Sequence, residues 1–196
     1  MIAIIDYHMG NLGSVQKALA YIGCESVITS DPMIIDQADR LILPGVGAMS
    51  YAMEKLTSLK LDIAIKQYLA ANRPFLGICL GMQLMFERSE EGHVKGLGFI
   101  KGCVTRFPQQ GGIKIPHMGW NQLHNSKSEL LQAYENYYFV HSYFVKPDDP
   151  AIIAASSFHG LSFAAAVETE QILLTQFHPE KSGDAGLRLL EAWVKR

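Results

Sequence analysis

Cys79 lies in the segment Pro74-Phe-Leu-Gly-Ile-Cys79-Leu-Gly-Met-Gln-Leu-Met-Phe86, with Gly77 and Gly81 two residues to either side. An apolar run enters and a helical pattern leaves, so the thiol sits at a strand-to-helix corner, the cysteine form of a nucleophile elbow. Such a corner crowds the neighbouring backbone, and glycine is the residue that adds no side chain to the crowd. The start of the departing helix favours a thiolate. The backbone N–H of Leu80 points toward any oxyanion formed at Cys79. A thiol nucleophile wants a histidine, itself oriented by a third group. His178 is the best placed of seven histidines: it follows the apolar run Ile172-Leu-Leu-Thr-Gln-Phe177, at the strand end where open parallel sheets form their sites. Glu180 stands two residues on, across Pro179, on the same side of an extended chain, where it can fix the imidazole tautomer. Each residue also has a plainer reading. Most free cysteines are buried structural ones, and Cys24 and Cys103 read that way; a histidine near a strand end is often no more than a satisfied core or surface residue.

These residues need a frame. The spacing predicts strands at 2–6, 27–28, 40–43 (ended by Pro44 and Gly45) and 75–78, alternating with helices at 11–22, 48–57, 60–71 and 80–87. Asn11 is a candidate N-cap. This β-α-β-α order predicts a parallel sheet with helices on both faces. From about residue 97 strand-like runs follow one another: GLGFIKGCVTRF, NYYFVHSYFV, AIIAASSF, LSFAAAVE and ILLTQF. They predict a β-rich second half that extends the sheet. Residues 183–195 read as a closing helix with Leu187, Leu190, Ala192 and Trp193 inward. No repeat or linker interrupts the chain, and 1–196 reads as one domain.

The totals set limits. Net charge is −2 over 196 residues, with no basic stripe of the kind that binds nucleic acid. No window is apolar enough for a membrane span. The N-terminus lacks a positive n-region, and Asp6 breaks its apolar run, which argues against a signal peptide. Three sparse cysteines suit reduced thiols in the cytoplasm. There is no C-x-x-C or H-E-x-x-H, so no metal is expected.

The elbow together with His-Pro-Glu resembles the class I (triad) glutamine amidotransferase domain, over essentially the whole chain and in the right order. Asp6-Tyr7-His8-Met9-Gly10-Asn11, Leu43-Pro-Gly-Val-Gly-Ala48, Pro116-His-Met-Gly-Trp-Asn121, Val140-His-Ser-Tyr143 and Gln176-Phe-His-Pro-Glu-Lys-Ser182 look like the glutaminase subunits of imidazole glycerol phosphate synthases. His8 departs from the small residue usual there. The resemblance implies a flavodoxin-like three-layer α/β fold with a mostly parallel central sheet. It implies glutamine hydrolysis by Cys79, His178 and Glu180 through a glutamyl thioester, with no cofactor. The ammonia would pass to a (β/α)8-barrel cyclase in histidine biosynthesis. It further implies an oxyanion hole from the N–H groups of Leu80 and Val46, and a glutamine pocket from Gly47, Gln83, Ser142 and Tyr143. Met118, Trp120, Asn121 and Lys181 would face the partner, Lys181 meeting a cyclase carboxylate near the ammonia entrance. Without the resemblance Gln83 is equally a solvated helix residue, 141–143 plain strand pairing, Pro44–Gly47 a β–α turn, and 116–121 a core hairpin. A glutaminase of another pathway, such as pyridoxal phosphate synthesis, and a cysteine peptidase on the same fold are the rival readings.

Overall fold

The computed structural model describes residues 1–109 and 112–196. The first half runs β1 (Ile2–Ile5), α1 (Leu12–Tyr21), β2 (Ser26–Thr29), α2 (Pro32–Gln37), β3 (Arg40–Gly45), α3 (Met49–Ser58), α4 (Leu61–Ala70), β4 (Phe75–Cys79) and α5 (Leu80–Leu84). The second runs β5 (Phe86–Ser89), β6 (Ile100–Arg106), β7 (His117–Gln122), β8 (Asn136–His141), β9 (Tyr143–Pro147), β10 (Ile153–Phe158), β11 (Ser162–Glu168), β12 (Ile172–Thr175) and α6 (Gly183–Lys195). Seven strands form the main sheet in the order β10-β11-β12-β4-β3-β1-β2. β2, β1, β3, β4 and β12 are parallel, and β11 and β10 add an antiparallel edge.

Alternation along the strands sends side chains to two cores. Ala3, Ile5, Leu41 and Leu43 pack under α2, α3 and α4, whereas Ile2, Ile4, Ile42 and Leu76 pack against α1 and α6. The result is the expected three layers. Because β3, β4 and β12 are neighbours in register, the loops leaving their C-terminal ends meet at one place. Those loops carry Val46, Cys79 and His178.

Several details differ from the sequence-based expectation. The helix after Cys79 ends at Leu84, not at residue 87, because the carbonyls of Leu84, Met85 and Phe86 are taken by the N–H groups of Leu97, Phe99, Ile100 and Gly98. Phe86–Ser89 then pairs with β6 as a strand. Strand β3 continues through Pro44 and Gly45, which pair with Ile78 and Cys79. The second half does not all extend the main sheet: β10, β11 and β12 do, while β5-β6-β9 and β7-β8 form separate small sheets. In α6 Leu190 and Trp193 are buried as expected and Leu189 joins them, whereas Leu187 and Ala192 are only partly buried. Asn11 precedes α1 but makes no side-chain cap. Helix α2 has no counterpart in the expectation. Among the described residues no helix is long and apolar enough to cross a membrane.

The close contacts at the elbow generate a paired prediction. A Cβ on Gly81 would lie 1.8 Å from the Leu43 carbonyl oxygen, a backbone atom of the central sheet, while one on Gly13 in α1 would meet nothing within 4 Å. Gly81→Ala should destabilise by about 3 kcal/mol or more, and Gly13→Ala should stabilise by about 0.5–1 kcal/mol. Denaturant midpoints compare the two. Similar midpoints would mean that the elbow does not depend on close packing against β3.

Candidate active site

Cys79 ends β4 with φ 56° and ψ −107°, a left-handed conformation rare for a residue with a side chain. The glycines around it are required by space. A Cβ on Gly77 would come within 2.7 Å of Leu174 Cδ2 and 2.9 Å of the Gly81 carbonyl. The turn lifts the thiol out of the sheet into a cleft of about 350 Å³ lined by Val46, Gly47, Leu80, Gln83, Glu91 and the 140–143 segment. The sulfur lies 3.9 Å from the Val140 carbonyl oxygen and 3.7 Å from Gln176 Nε2.

His178 and Glu180 reach the same place from β12. His178 is extended, and Pro179–Lys181 then forms one turn of 3₁₀-helix. The expected i, i+2 contact therefore exists, but a turn makes it instead of a continuous extended strand. His178 Nδ1 donates to Glu180 Oε1 at 2.8 Å, with both side chains buried. Burial works against a charged imidazole, but the charge of Cys79, and after it the carboxylate of Glu180, outweighs burial and raises the His178 pKa to about 10. His178 Nε2 has no partner at ordinary hydrogen-bond geometry, and Glu180 Oε2 is likewise without one.

A single strand of the small β7-β8 sheet braces this constellation. The Tyr138 carbonyl accepts the His178 N–H at 2.9 Å, and the Tyr138 N–H donates to Ser182 Oγ at 3.0 Å. Ser182 Oγ in turn donates to the His178 carbonyl. Two residues along, the Val140 carbonyl faces Cys79.

The remaining residues singled out in the sequence fall as follows. Gln83 is buried on the cleft wall, and its amide donates to the Tyr143 carbonyl and to Gln176 Oε1, both at 3.0 Å. Gly47, Ser142 and Tyr143 line the cleft, and Leu80 opens α5 beside the thiol. Val46 sits at its mouth, 39% exposed. Met118 and Trp120 project to solvent from β7, 63% and 59% exposed, and Lys181 is also exposed. Asn121, grouped with them from sequence, turns its amide inward to His117 and the Phe158 carbonyl. His8 is exposed, with φ 66°, and its N–H donates to Asp6. Among the described residues no cluster of His, Cys, Asp or Glu is arranged to hold a metal ion.

Three contributors escape sequence reasoning. Among the described residues Glu91 is the one carboxylate lining the cleft, and it accepts the Met49 N–H at the start of α3; no motif signals it. Gln176 lies inside the quoted Gln176–Ser182 segment but carried no role there. Tyr7 donates to the Pro44 carbonyl at 3.0 Å, and its hydroxyl would sit 2.2 Å from a Cβ on Gly45. Burial, then the nearby Cys79, raise the Tyr7 pKa far above its ordinary value, so it stays a neutral donor.

Residues 3–195 match the family described as Glutamine amidotransferase class-I. The chain is 48% identical to "Imidazole glycerol phosphate synthase subunit HisH" of Syntrophotalea carbinolica, covering 97% of this chain and 98% of that one. It is 50% identical to the protein of the same name from Thermosynechococcus vestitus, covering 98% and 95%. Among solved structures, one described as a glutamine amidotransferase superimposes with a TM-score of 0.78 at 15% identity over 100% of this chain and 98% of the other. PurLQS from Thermotoga maritima superimposes at 0.73 and 17%, over 99% and 97%. These two share the fold. The sequence identities go further, and the chain belongs to the class-I glutamine amidotransferase family, among the HisH subunits of imidazole glycerol phosphate synthase.

Proposed function

We propose that this chain hydrolyses glutamine in the cytoplasm as the glutaminase subunit of imidazole glycerol phosphate synthase. It would hand ammonia to a (β/α)8-barrel cyclase that forms imidazole glycerol phosphate and AICAR in histidine biosynthesis. The observation that carries the chemistry is a cysteine on a strained elbow that opens into a cleft beside a buried, charge-favouring His178–Glu180 pair. The relatives' names favour this pathway over pyridoxal phosphate synthesis and over a peptidase.

In this mechanism the Cys79 thiolate attacks the side-chain carbonyl of glutamine. The oxyanion rests on the Leu80 N–H and, in the active state, on that of Val46. His178 holds the proton, gives it to the departing nitrogen, and then takes one from the water that hydrolyses the thioester. Glu91 supplies the negative charge that the substrate's α-ammonium needs, and Gly47, Gln83, Ser142 and Tyr143 form the remaining wall. The apolar Met118 and Trp120, with Lys181 close to the triad, would meet the cyclase, since Trp and Met are enriched at interfaces.

Cys79→Ala should abolish glutamine-dependent synthesis by the complex and spare ammonia-dependent synthesis. An electrophilic glutamine analogue should label Cys79 and neither Cys24 nor Cys103. Peptide mapping that finds the label elsewhere would overturn the assignment.

Base and orienter separate kinetically. Replacing His178 should lower turnover by about 10²–10⁴-fold. Glu180→Gln should cost less, because a neutral acceptor still holds the ring. The pH profile adds a sign. With its pKa raised to about 10, His178 keeps its proton through neutrality and loses it as pH climbs through that value. Glu180→Gln removes one stabiliser of the charged form, so the alkaline limb of kcat/KM should move toward neutral pH. A limb that stays put would deny Glu180 this role.

Gating should reside at Gly45–Val46. If the Val46 N–H points away from Cys79 at rest, one oxyanion donor is missing, a cost of about 3–4 kcal/mol. A peptide flip, to which glycine at 45 offers little resistance, restores it. The isolated chain should then be nearly silent and be activated when the cyclase binds its nucleotide substrate. Val46→Pro deletes the N–H at an exposed position and should abolish most of the activation while leaving glutamine binding nearly unchanged. Full turnover by the isolated chain, or normal activation of Val46→Pro, would rule out this gate.

A further inference from the structure

Two histidines that take no part in the triad mechanism cross the root of the β7-β8 hairpin. His117 begins β7, His141 ends β8, and the two are paired in register. Both are buried, 5% and 6% exposed, among Phe107, Phe139 and Phe163. His117 Nδ1 lies 3.0 Å from His141 Nε2, and His141 Nδ1 lies 2.8 Å from the Tyr143 carbonyl oxygen. Asn121 Nδ2 lies 3.1 Å from His117 Nε2 and 2.9 Å from the Phe158 carbonyl oxygen.

These partners admit one proton order if both rings are neutral. A carbonyl oxygen only accepts, so the Tyr143 carbonyl requires a proton on His141 Nδ1. His141 Nε2 is then an acceptor, which requires the proton of His117 on Nδ1. His117 Nε2 accepts in its turn, from Asn121. The Asn121 amide cannot be turned round, because its oxygen would then face the Phe158 carbonyl; as placed, that oxygen accepts the Gln122 N–H at 2.8 Å. Neutrality is supported by the surroundings. Burial, followed by the charge of His159, lowers the His117 pKa to about 4; burial lowers that of His141 to about 3, against the opposing pull of the Tyr143 carbonyl. The titratable groups facing the two rings are each other, His159 stacked on His117 at 4.2 Å, and His178 beyond His141.

The last acceptor in the series is also part of the cleft. The Tyr143 carbonyl receives the Gln83 amide as well, and Ser142 and Tyr143 line the cavity beside Cys79. The first donor belongs to β7, the strand that exposes Met118 and Trp120. We propose that His117 and His141 are positioning residues for the substrate: a one-way hydrogen-bond relay, Asn121 to His117 to His141 to the Tyr143 carbonyl, that fastens the Ser142–Tyr143 wall of the cleft to the exposed hairpin. This deepens the glutaminase reading and rests on it.

The test uses the complex with its cyclase. Nitrogen-15 spectra of histidine-labelled protein report the tautomers. His117 and His141 should both carry the proton on Nδ1, accept at Nε2, and remain untitrated from pH 8 down to pH 5. A proton on Nε2 of either ring, or a charged ring at neutral pH, would overturn the relay. Kinetics supply the second arm. His141→Phe should raise the KM for glutamine about tenfold, the size of one lost hydrogen bond in the wall, with kcat changed far less. His141→Asn, whose amide N–H stands near the Nδ1 position, should recover most of that loss. An unchanged KM in His141→Phe, or no recovery in His141→Asn, would overturn the proposal. Should the phenylalanine variant fail to fold, Asn121→Ala at a partly exposed site serves in its place. It should raise the KM and let the His117 ring change tautomer or titrate, and unchanged spectra and KM would overturn the relay. A wild-type complex without glutamine turnover would instead sink the glutaminase reading and leave the tautomer result standing.

Discussion

Holding a cysteine at φ 56°, ψ −107° costs about 1–3 kcal/mol, and such a conformation persists only when its surroundings over-determine it. Here the surroundings are closely packed backbone and side-chain atoms. Gly81 packs onto the Leu43 carbonyl, Gly77 onto Gly81 and Leu174, and Gly45 onto Tyr7 and Leu80. Three adjacent parallel strands are thus pressed together at one end by residues without side chains. The sheet order makes this possible, because β3, β4 and β12 lie side by side although β12 comes almost a hundred residues after β4 in the chain. Relaxing the elbow would require separating β4 from β3, and the main core lies between them and the helices. The energy that holds the thiol on its strained turn comes from burial elsewhere.

The second dependency runs through β8. Its residues contact the candidate site: Tyr138 holds the backbone of His178 and Ser182, and Val140 faces the sulfur. Its partner strand β7 carries Met118 and Trp120 into solvent, with Trp120 edge-on to Tyr138 at 6.1 Å. A two-stranded sheet on its own is marginally stable. This one is steadied by Tyr137 and Phe139, packed against Phe177 at 4.2 and 5.6 Å between ring centres. The exposed face of β7 is therefore one strand away from the backbone of His178 and from the carbonyl that faces Cys79.

How much of this the sequence discloses depends on how local the determinant is. Cys79 with its glycines, and His178 with Glu180, are readable because each group acts within two residues of its partner. The parallel half is readable because strand and helix periods alternate cleanly up to Phe75. Legibility fails where tertiary hydrogen bonds override local pattern. Met82–Phe86 continues a helical pattern in sequence, yet the 97–100 segment captures its carbonyls and turns the chain into β5. Helix α2 is short and owes its start to the Asp31 side chain accepting the Met33 N–H. Glu91 and Tyr7 act on groups 42 and 37 residues away. Asn121 is polar and flanked by exposed residues, which in sequence suggests a surface role, but its amide is committed to the hairpin root. Membership of one sheet or another is likewise a property of pairing, and the apolar runs of β6, β8 and β9 look no different from those of β10 and β11.

The arrangement also bears on why such a site works as a subunit. Val46 at the cleft mouth and Met118 and Trp120 on the neighbouring hairpin expose apolar surface that a finished surface would cover. His178 and Glu180 are already buried and bonded to each other, although His178 Nε2 and Glu180 Oε2 have no partner. What opens to solvent is the cleft wall and the Val46 loop, which in the proposed reaction would hold substrate and oxyanion. A partner seated on the hairpin would bear on that wall and loop and, through Tyr138, on the backbone of His178. In the proposed reaction, regulation and containment of ammonia would both depend on covering this exposed apolar rim.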